Sequence, residues 1–406
     1  MKKIFKTIFI LLLILIFLAS FSESYQYLRI DNIAIVVALA IDVSDKDALK
    51  LSFQFTQSSP VTDKGSSNSA SSFVYTLDAP SINTGISLMN TYIEKQLSFS
   101  HCKLIAFSEE FAKSGVSDEI FTLINNPQIR PSANILVTKS TAKEYIETVK
   151  PSFENLLSEY YNTYSTSSQF TGYSSNMTIE KFFHSLECEF CEPYAILGGI
   201  TRNDKTFSKS FSTSGSQGKS GNSALSSPTS SESIGIAVFD EDKLIGELNA
   251  IETVACLSTQ NAISGFMISV PDPSESNSFI DIYITPTKNT CINVDILNGS
   301  PYIKVDYSFS GTINSIKSDS KYLDSNTLNK ISNSTNIFLK SIFENFFYKT
   351  SKEFGSDITG LGKYIKPNFS TLNQAEDFNW NHNYTNSFFN INVDTNIVSS
   401  SLLSET

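Results

Sequence analysis

The sequence has few charged residues and few histidines, tryptophans and cysteines. Of its 406 residues, 17% are charged, and there are three histidines, one tryptophan and five cysteines. Beyond the N-terminus there is no run of basic residues, and the net charge is −11. Nucleic-acid binding needs a basic surface that neutralises phosphates, and electrostatic docking on anionic lipid needs one as well. The composition therefore argues against nucleic acid as a partner and against charge-driven binding of the folded part to lipid.

The histidines and glycines form no catalytic pattern. His101, His184 and His382 lie far apart, and none is accompanied by the Ser, Asp or Cys arrangement of a catalytic triad. The stretch from Gly355 to Gly362 lacks the Gly-Lys-Ser/Thr ending of a phosphate-binding loop, so we interpret its glycines as turn residues. Asp357 is interpreted as a cap or turn residue rather than a catalyst. The sequence thus predicts no catalytic residue, no cofactor and no metal, and hence no enzyme.

The cysteines are few and their number is odd, so they do not indicate a disulfide framework. They stand at Cys102, Cys188, Cys191, Cys256 and Cys291. His184, Cys188 and Cys191 could supply three zinc ligands, but structural zinc sites have four, and no second pair follows. A local disulfide and two plain thiols are the alternatives for Cys188 and Cys191. Acidic neighbours raise thiol pKa values, which disfavours a redox role for this pair.

The N-terminus has the composition of an export signal. Lys2, Lys3 and Lys6 flank the start of an apolar run from Ile8 to Phe21, which polar residues follow. This run is shorter than the roughly 20 residues of a comfortable transmembrane helix, although it could remain uncleaved as an anchor. No second apolar run of spanning length follows. We therefore expect the chain after residue 24 to lie outside the cytoplasm as an ectodomain.

Strand and helix patterns alternate along the chain, which predicts a multidomain α+β ectodomain of mixed sheets with packed helices. Ile33 to Ile41 is predicted to be a strand that is buried on both faces and pairs with the following strand. Ser208 to Ser233 is rich in serine and poor in apolar residues, so we expect it to be disordered and dispensable for folding. The predicted divisions are 1–24 (signal peptide or membrane anchor), 25–200 (N-terminal domain), 201–233 (Ser-rich linker), 234–272 (small middle α+β domain) and 273–406 (antiparallel sheet with a long helix).

Short segments spread over nearly the whole chain carry a family resemblance. They are Ile30–Val36 with Ile41–Asp42, His101–Ile105, Glu109–Val116, Gln128–Arg130, Gly235–Phe239, Asp242–Gly246, Glu252, Asp357–Gly362 and Trp380. In order and spacing they resemble the Ger(x)C family of spore germination proteins. The resemblance implies a C subunit of a germinant receptor, which acts beside two membrane-embedded subunits, A and B, at the inner membrane of the spore. It implies export to the outer face of that membrane and a role in nutrient-triggered germination.

The sequence departs from the family at the expected lipidation site. Members carry their lipid on a cysteine that precedes a Trp-Asp pair, whereas Ser24 occupies this position here, and no cysteine precedes Cys102. Lipidation at the usual place is therefore excluded. Two alternatives remain: Ile8–Phe21 is retained as an anchor, or cleavage near Ser22 releases an ectodomain that its partners hold at the membrane. The Ser-rich insertion is also longer than is usual in the family.

Two other classes of function are weighed against this one. An extracytoplasmic nutrient-binding protein would have a deep pocket between domains, lined by aromatic and polar groups. A cell-wall hydrolase would need carboxylates positioned in a cleft, and no motif indicates them. We interpret Trp380 as a core residue and Glu252 as a solvated helix residue.

Overall fold

The computed structural model describes residues 4–12, 32–45, 48–57, 71–151, 156–201, 220, 230–273, 278–316 and 325–398. A short helix, α1, spans residues 4–12. Among the helices of these ranges, none is both long and apolar enough to cross a membrane. The first five residues of the predicted anchor Ile8–Phe21 belong to α1. The rest of the anchor and Ser24 lie in 13–31, outside the described residues.

Nine strands build the first sheet. They are β1 (Ile33–Val43), β2 (Leu49–Gln57), β3 (Ser71–Ala79), β4 (Gln96–Ser98), β5 (Leu104–Ser108), β6 (Asn134–Thr138), β7 (Tyr194–Thr201), β8 (Ser230–Asp240) and β9 (Lys243–Leu248). The order is β3-β2-β1-β5-β6-β7-β8-β9, and β4 pairs with β1. The central strands β1, β5, β6 and β7 are parallel, and antiparallel pairs flank them on both sides.

Helices cover both faces of this sheet, which explains the continuous apolar run of β1. They are α2 (Ile82–Tyr92), α3 (Glu109–Ser114), α4 (Ser117–Asn125), α5 (Ala142–Thr148), α6 (Leu157–Thr171) and α7 (Ile179–Leu186). One face packs on α5 and α6, and the other packs on α2, α3, α4 and α7. Val36 to Ile41 is consequently fully buried. A strand buried on both faces needs no polar alternation, as the sequence predicts for β1.

The second sheet holds five strands and one long helix. The strands are β10 (Phe266–Pro271), β11 (Phe279–Pro286), β12 (Cys291–Leu297), β13 (Ser300–Ile316) and β14 (Phe388–Val398). The helices are α8 (Ala250–Thr259), α9 (Ser325–Tyr348), α10 (Leu372–Asp377) and α11 (Trp380–Tyr384), with a π-helical turn at Lys349–Phe354 and 3-10 turns at Leu361–Tyr364 and Lys366–Asn368. Helix α9 packs on β13 and β14: the rings of Tyr307 and Phe343 lie 4.3 Å apart, and those of Phe347 and Phe389 lie 4.8 Å apart. The mixed α+β class is confirmed.

Three details differ from the sequence prediction. The second sheet is mixed rather than antiparallel, because β14 pairs with β13 in parallel. Strand β3, which the sequence prediction omits, lies at the edge of the first sheet. The predicted boundary between linker and middle domain at 233/234 cuts through β8, and both β8 and β9 belong to the first sheet rather than to a separate middle domain.

The end of the Ser-rich segment is part of the fold, which corrects its prediction as a linker throughout. Ser230–Ser233 pair with Thr201–Gly198 of β7. Ser220 is buried, and its hydroxyl donates to the carbonyl oxygen of Leu197 and accepts from the amide of Ile234. The segments 202–219 and 221–229 lie outside the described residues.

Deleting residues 208–233 should therefore destabilise the first sheet, because it removes four residues of β8 and the Ser220 hydrogen bonds. We expect a fall of several degrees or more in melting temperature, since each buried polar group left unpaired costs about 1–3 kcal/mol. The matched control deletes only 208–217, which removes no described residue. Calorimetry of both variants checks this, and an equal, unchanged melting temperature for the two would contradict it.

Candidate functional site at the domain junction

A glycine-rich loop, Gly355–Gly362, connects the long helix to the last elements of the chain. It begins where the π-helical turn ends, at Gly355, whose φ of +70° is a conformation that glycine adopts without strain. Gly360, with φ of +74°, makes the next sharp turn. We call this segment the glycine loop. Its residues lie against both sheets.

The glycine loop is folded around the carboxylate of Asp357, which is fully buried. The amides of Gly360 and Gly362, the hydroxyl of Thr359 and the indole Nε1 of Trp380 each donate a hydrogen bond to it at 2.9 Å. Burial raises the pKa of Asp357, and these hydrogen bonds oppose the rise. With its oxygens bound by the loop itself, Asp357 organises the turn, in agreement with its interpretation as a turn residue.

Glu192 connects the glycine loop to two other parts of the chain. Its amide donates to the carbonyl oxygen of Asp357 at 3.0 Å. Its Oε2 accepts from the amide of Glu241, in the β8–β9 turn, at 2.7 Å. Its Oε1 accepts from Nδ2 of Asn381, at the start of α11. One buried carboxylate thus joins the first sheet to the C-terminal helices.

Further hydrogen bonds hold the glycine loop on its other side. Nε2 of Gln260, at the end of α8, donates to the carbonyl oxygen of Ile358 at 2.8 Å, while its Oε1 accepts from the hydroxyl of Tyr194 at 2.9 Å. The hydroxyl of Ser356 donates to the carbonyl oxygen of Phe239 at 2.6 Å. We call Asp357, Glu192, Gln260 and Asn381 with the glycine loop the junction.

Glu252 also belongs to the connection between the two sheets, contrary to its prediction as a solvated residue. It forms a capping box with Asn249 at the start of α8. Its carboxylate accepts two hydrogen bonds from Nζ of Lys349, at 2.9 and 3.0 Å. Lys349 opens the π-helical turn and also donates to the carbonyl oxygen of Glu247 in β9. The ion pair is mostly buried, so it is screened less than a surface pair.

A cavity of about 420 Å³ lies beside the junction. Its walls include Lys181 and His184 of α7, Gln260 directly after α8, and Thr359 and Lys363 of the C-terminal part. Among the described residues that line it, Glu192 is the only carboxylate. A glycoside hydrolase needs a pair of carboxyl groups across its cleft, so this cavity does not support the cell-wall hydrolase alternative.

The predicted histidines and cysteines are not brought together into a reactive centre. His101, His184 and His382 are exposed and lie on three different parts of the fold. Cys188 and Cys191 form a disulfide, which decides between the alternatives left open by the sequence. Burial raises the pKa of Cys102 to about 12 and raises that of Cys256 further, so these thiols are poor nucleophiles. In the part of the chain that the structure describes, no cluster of three metal-ligating side chains is present.

The sequence marks Asp357 and Trp380 but not Glu192, Gln260 or Asn381. The side chains of Glu192 and Asn381 meet although 189 positions separate them along the chain. No local pattern predicts such a contact. The Glu192-Pro193 pair directly ahead of β7 is the only local feature at this point.

Glu192 should make stability depend on pH. Burial raises the pKa of Glu192 to about 7. The negative charges of Asp240, Glu241 and Asp357 also raise this pKa, whereas the hydrogen bond from the Glu241 amide lowers it. A carboxyl whose pKa is raised on folding stabilises the fold fully below its unfolded pKa, and this contribution is lost as the pH rises through the folded value. We expect the melting temperature to fall between about pH 5 and about pH 8. Glu192→Gln should flatten this slope, and Glu344→Gln, at an exposed position, should not; an unchanged slope in Glu192→Gln would contradict the assignment.

Comparison with known proteins gives the same family at both ends of the chain. Residues 26–197 match the spore germination protein N-terminal domain, and residues 234–401 match the C-terminal domain described as spore germination B3/GerAC like. Together these matches cover most of the chain. The protein belongs to the Ger(x)C family of spore germination proteins.

Individual relatives agree with this membership. YfkR of Bacillus subtilis (strain 168), whose name is that of a spore germination protein, is 26% identical over 148 residues. That match covers 35% of this chain and 38% of the relative, so the chain matches well under half of that protein's length. The crystal structure of the GerBC protein is similar in fold, with a TM-score of 0.51 at 16% identity, over 89% of this chain and 96% of that one.

Proposed function

We propose that the chain is the non-catalytic C subunit of a spore germinant receptor, needed for nutrient-triggered germination. It acts through contacts with two membrane-embedded subunits, A and B, at the outer face of the spore inner membrane. The observation that carries the proposal is the match to both domains of the germination family over most of the chain. The junction supports a structural role, because its described carboxylates bind other parts of the same chain.

Co-purification from spore inner membranes tests this proposal. An affinity-tagged chain, solubilised in mild detergent, should retain the A and B subunits. Spores that lack the chain should lose the fall in turbidity that follows nutrient addition, and the wild-type chain should restore it. Recovery of the tagged chain without either subunit, with normal nutrient germination in its absence, would contradict the proposal.

The N-terminal segment supports a membrane-tethered ectodomain rather than a lipid-anchored one. The apolar run Ile8–Phe21 is intact, and the lysines ahead of it favour a cytoplasmic N-terminus. With Ile4, Phe5 and Thr7 the segment approaches spanning length, and the long stem of Lys6 can reach the headgroups. We expect mass spectrometry of the protein from spores to find residues 1–24 retained. An N-terminus near Glu23 would contradict the tether. The partner subunits alone would then hold the protein at the membrane.

A second candidate function is capture of a small polar nutrient in the junction cavity. Its volume of about 420 Å³ and its position between helix α7 and the glycine loop favour this role. Lys181 and Lys363 would bind a carboxylate, and Glu192 lies on the same cavity. Titration calorimetry with free amino acids should then show binding that Lys363→Ala weakens at least tenfold. Absence of heat from every amino acid at millimolar concentration would exclude it.

A further inference from the structure

Exposed aromatic side chains gather at one corner of the first sheet. Phe73 and Tyr75 on the edge strand β3 are 41% and 51% exposed, and Tyr92 at the end of α2 is 76% exposed. The rings of Phe73 and Tyr75 lie 5.4 Å apart, and Phe73 stacks at 5.2 Å on the buried ring of Phe55. We call Phe73, Tyr75, Tyr92 and Ile93 the aromatic corner. It is fixed to the core on one side and open to solvent on the other.

Strand register places the aromatic corner where the chain enters the sheet. Strand β1 starts at Ile33, and Val36 near that start is opposite Phe55, which in turn is opposite Phe73. The parallel pairing of Ile33 with Gln96 brings the connection from α2 to β4 to the same point. Ala34, Phe73, Tyr92 and Lys95 accordingly line one shallow cavity of about 310 Å³.

The length of chain ahead of β1 decides which end of the ectodomain can reach a membrane. The apolar run ends at Phe21, and residues 22–32 separate it from Ile33. Eleven residues span at most about 40 Å when fully extended. A folded chain of this length is about 55 Å or more across, judged from its expected radius of gyration. A bilayer that holds Ile8–Phe21 is therefore within reach of the aromatic corner and beyond reach of the opposite end.

We propose that the aromatic corner docks the ectodomain on the headgroup region of the membrane that holds its N-terminal segment. This inference rests on the membrane tether in the proposed function. Tyrosine rings pair an apolar body with a polar hydroxyl, and they concentrate at membrane–water interfaces for that reason. The charges of Glu94 and Lys95, at the rim of this cavity, cancel each other. The whole chain has a net charge of −11, so electrostatic attraction to anionic lipid is not expected. Docking is thus driven by aromatic insertion and does not require anionic lipid.

Depth-dependent fluorescence quenching in the full-length chain tests the docking. Trp380 is the sole native tryptophan and is buried, so it provides a constant background. Tyr92→Trp adds a probe at the aromatic corner, and Phe388→Trp adds a matched probe at a 65% exposed position on the second sheet. Both variants are reconstituted in zwitterionic bilayers whose acyl chains carry bromine near the headgroups.

The expected result is that bromolipid quenches the Tyr92→Trp probe at least twofold more than the Phe388→Trp probe, to the same extent at low and high salt and without anionic lipid. Equal quenching of the two probes overturns the docking. A blue-shifted but unquenched Tyr92→Trp probe also overturns it, because another part of the chain or a second copy would then cover the corner. Flotation of the same samples separates the two proposals: a chain that does not float with vesicles refutes the tether and the docking together, whereas a chain that floats without quenching refutes the docking alone.

Discussion

Replacing Asp357 with alanine should destabilise the C-terminal part of the protein by about 3–5 kcal/mol, because the substitution removes the acceptor shared by several buried hydrogen-bond donors. The substitution leaves the indole of Trp380, the amides of Gly360 and Gly362 and the hydroxyl of Thr359 without their acceptor. Each unpaired buried donor costs about 1–3 kcal/mol if water does not replace the acceptor. Chemical denaturation monitored by Trp380 fluorescence measures the loss in the free energy of unfolding, because Trp380 contacts Asp357 directly.

Two control variants separate the hydrogen bonds from other effects of substitution. Asp357→Asn retains one acceptor oxygen, so its loss of stability should fall between those of the wild type and of Asp357→Ala. Asp295→Ala, at an exposed position on β12, should change stability by less than about 0.5 kcal/mol. A loss in Asp357→Ala as small as that in Asp295→Ala would show that the carboxylate does not organise the glycine loop.

Local sequence patterns predict the elements of this fold better than their arrangement. Ser81 and Thr178 each cap the helix that follows them, because the capping interaction is made within three residues of the chain. The alternation of Phe389, Ile391 and Val393 predicts strand β14 as well. Parallel and antiparallel strands share this period of two, however, so the parallel pairing of β14 with β13 is not visible in the sequence.

The full extent of the first sheet cannot be predicted from the sequence, for a related reason. Strand β8 starts within a serine-rich stretch, where low apolar content predicts disorder. Ser230–Ser233 are nevertheless ordered by pairing with β7, whose own residues lie some 30 positions earlier. Backbone hydrogen bonds to a neighbouring strand do not depend on side-chain type. Composition alone could not reveal them.

Polar residues that connect the two sheets are also predictable only where their partners are near them in the sequence. Asp357 could be interpreted as a turn residue because its partners Thr359, Gly360 and Gly362 are near it in the sequence. The sequence around Glu252 predicts a solvated residue, because its ion-pair partner Lys349 is 97 positions away. Contacts of this kind carry the connection between the two sheets, and only the three-dimensional structure shows them.

Replacing Gly362 with alanine should destabilise the junction through steric overlap rather than lost hydrogen bonds. A Cβ atom at this position would lie 2.6 Å from Cδ1 and Nε1 of Trp380 and 2.7 Å from the carbonyl oxygen of Phe190. Trp380 is held by its hydrogen bond to Asp357, and the carbonyl oxygen belongs to the backbone, so neither can move freely. We expect a loss of about 3 kcal/mol, at the upper end of the usual cost of overpacking, with a shift in Trp380 emission.

Gly299→Ala is the matched control for this prediction. Its Cβ would meet no atom within 4 Å, and its φ of +82° leaves backbone strain as the only cost, about 1 kcal/mol. The double variant Gly362→Ala/Trp380→Phe should remain destabilised, because the clash with the Phe190 carbonyl oxygen persists and the indole hydrogen bond is lost. If Gly362→Ala were no more harmful than Gly299→Ala, the close contact of the glycine loop with Trp380 and Phe190 would be wrong. If Gly362→Ala caused no further loss of stability in the Trp380→Phe background, Trp380 alone would cause the clash, and the backbone of Phe190 would not constrain the loop.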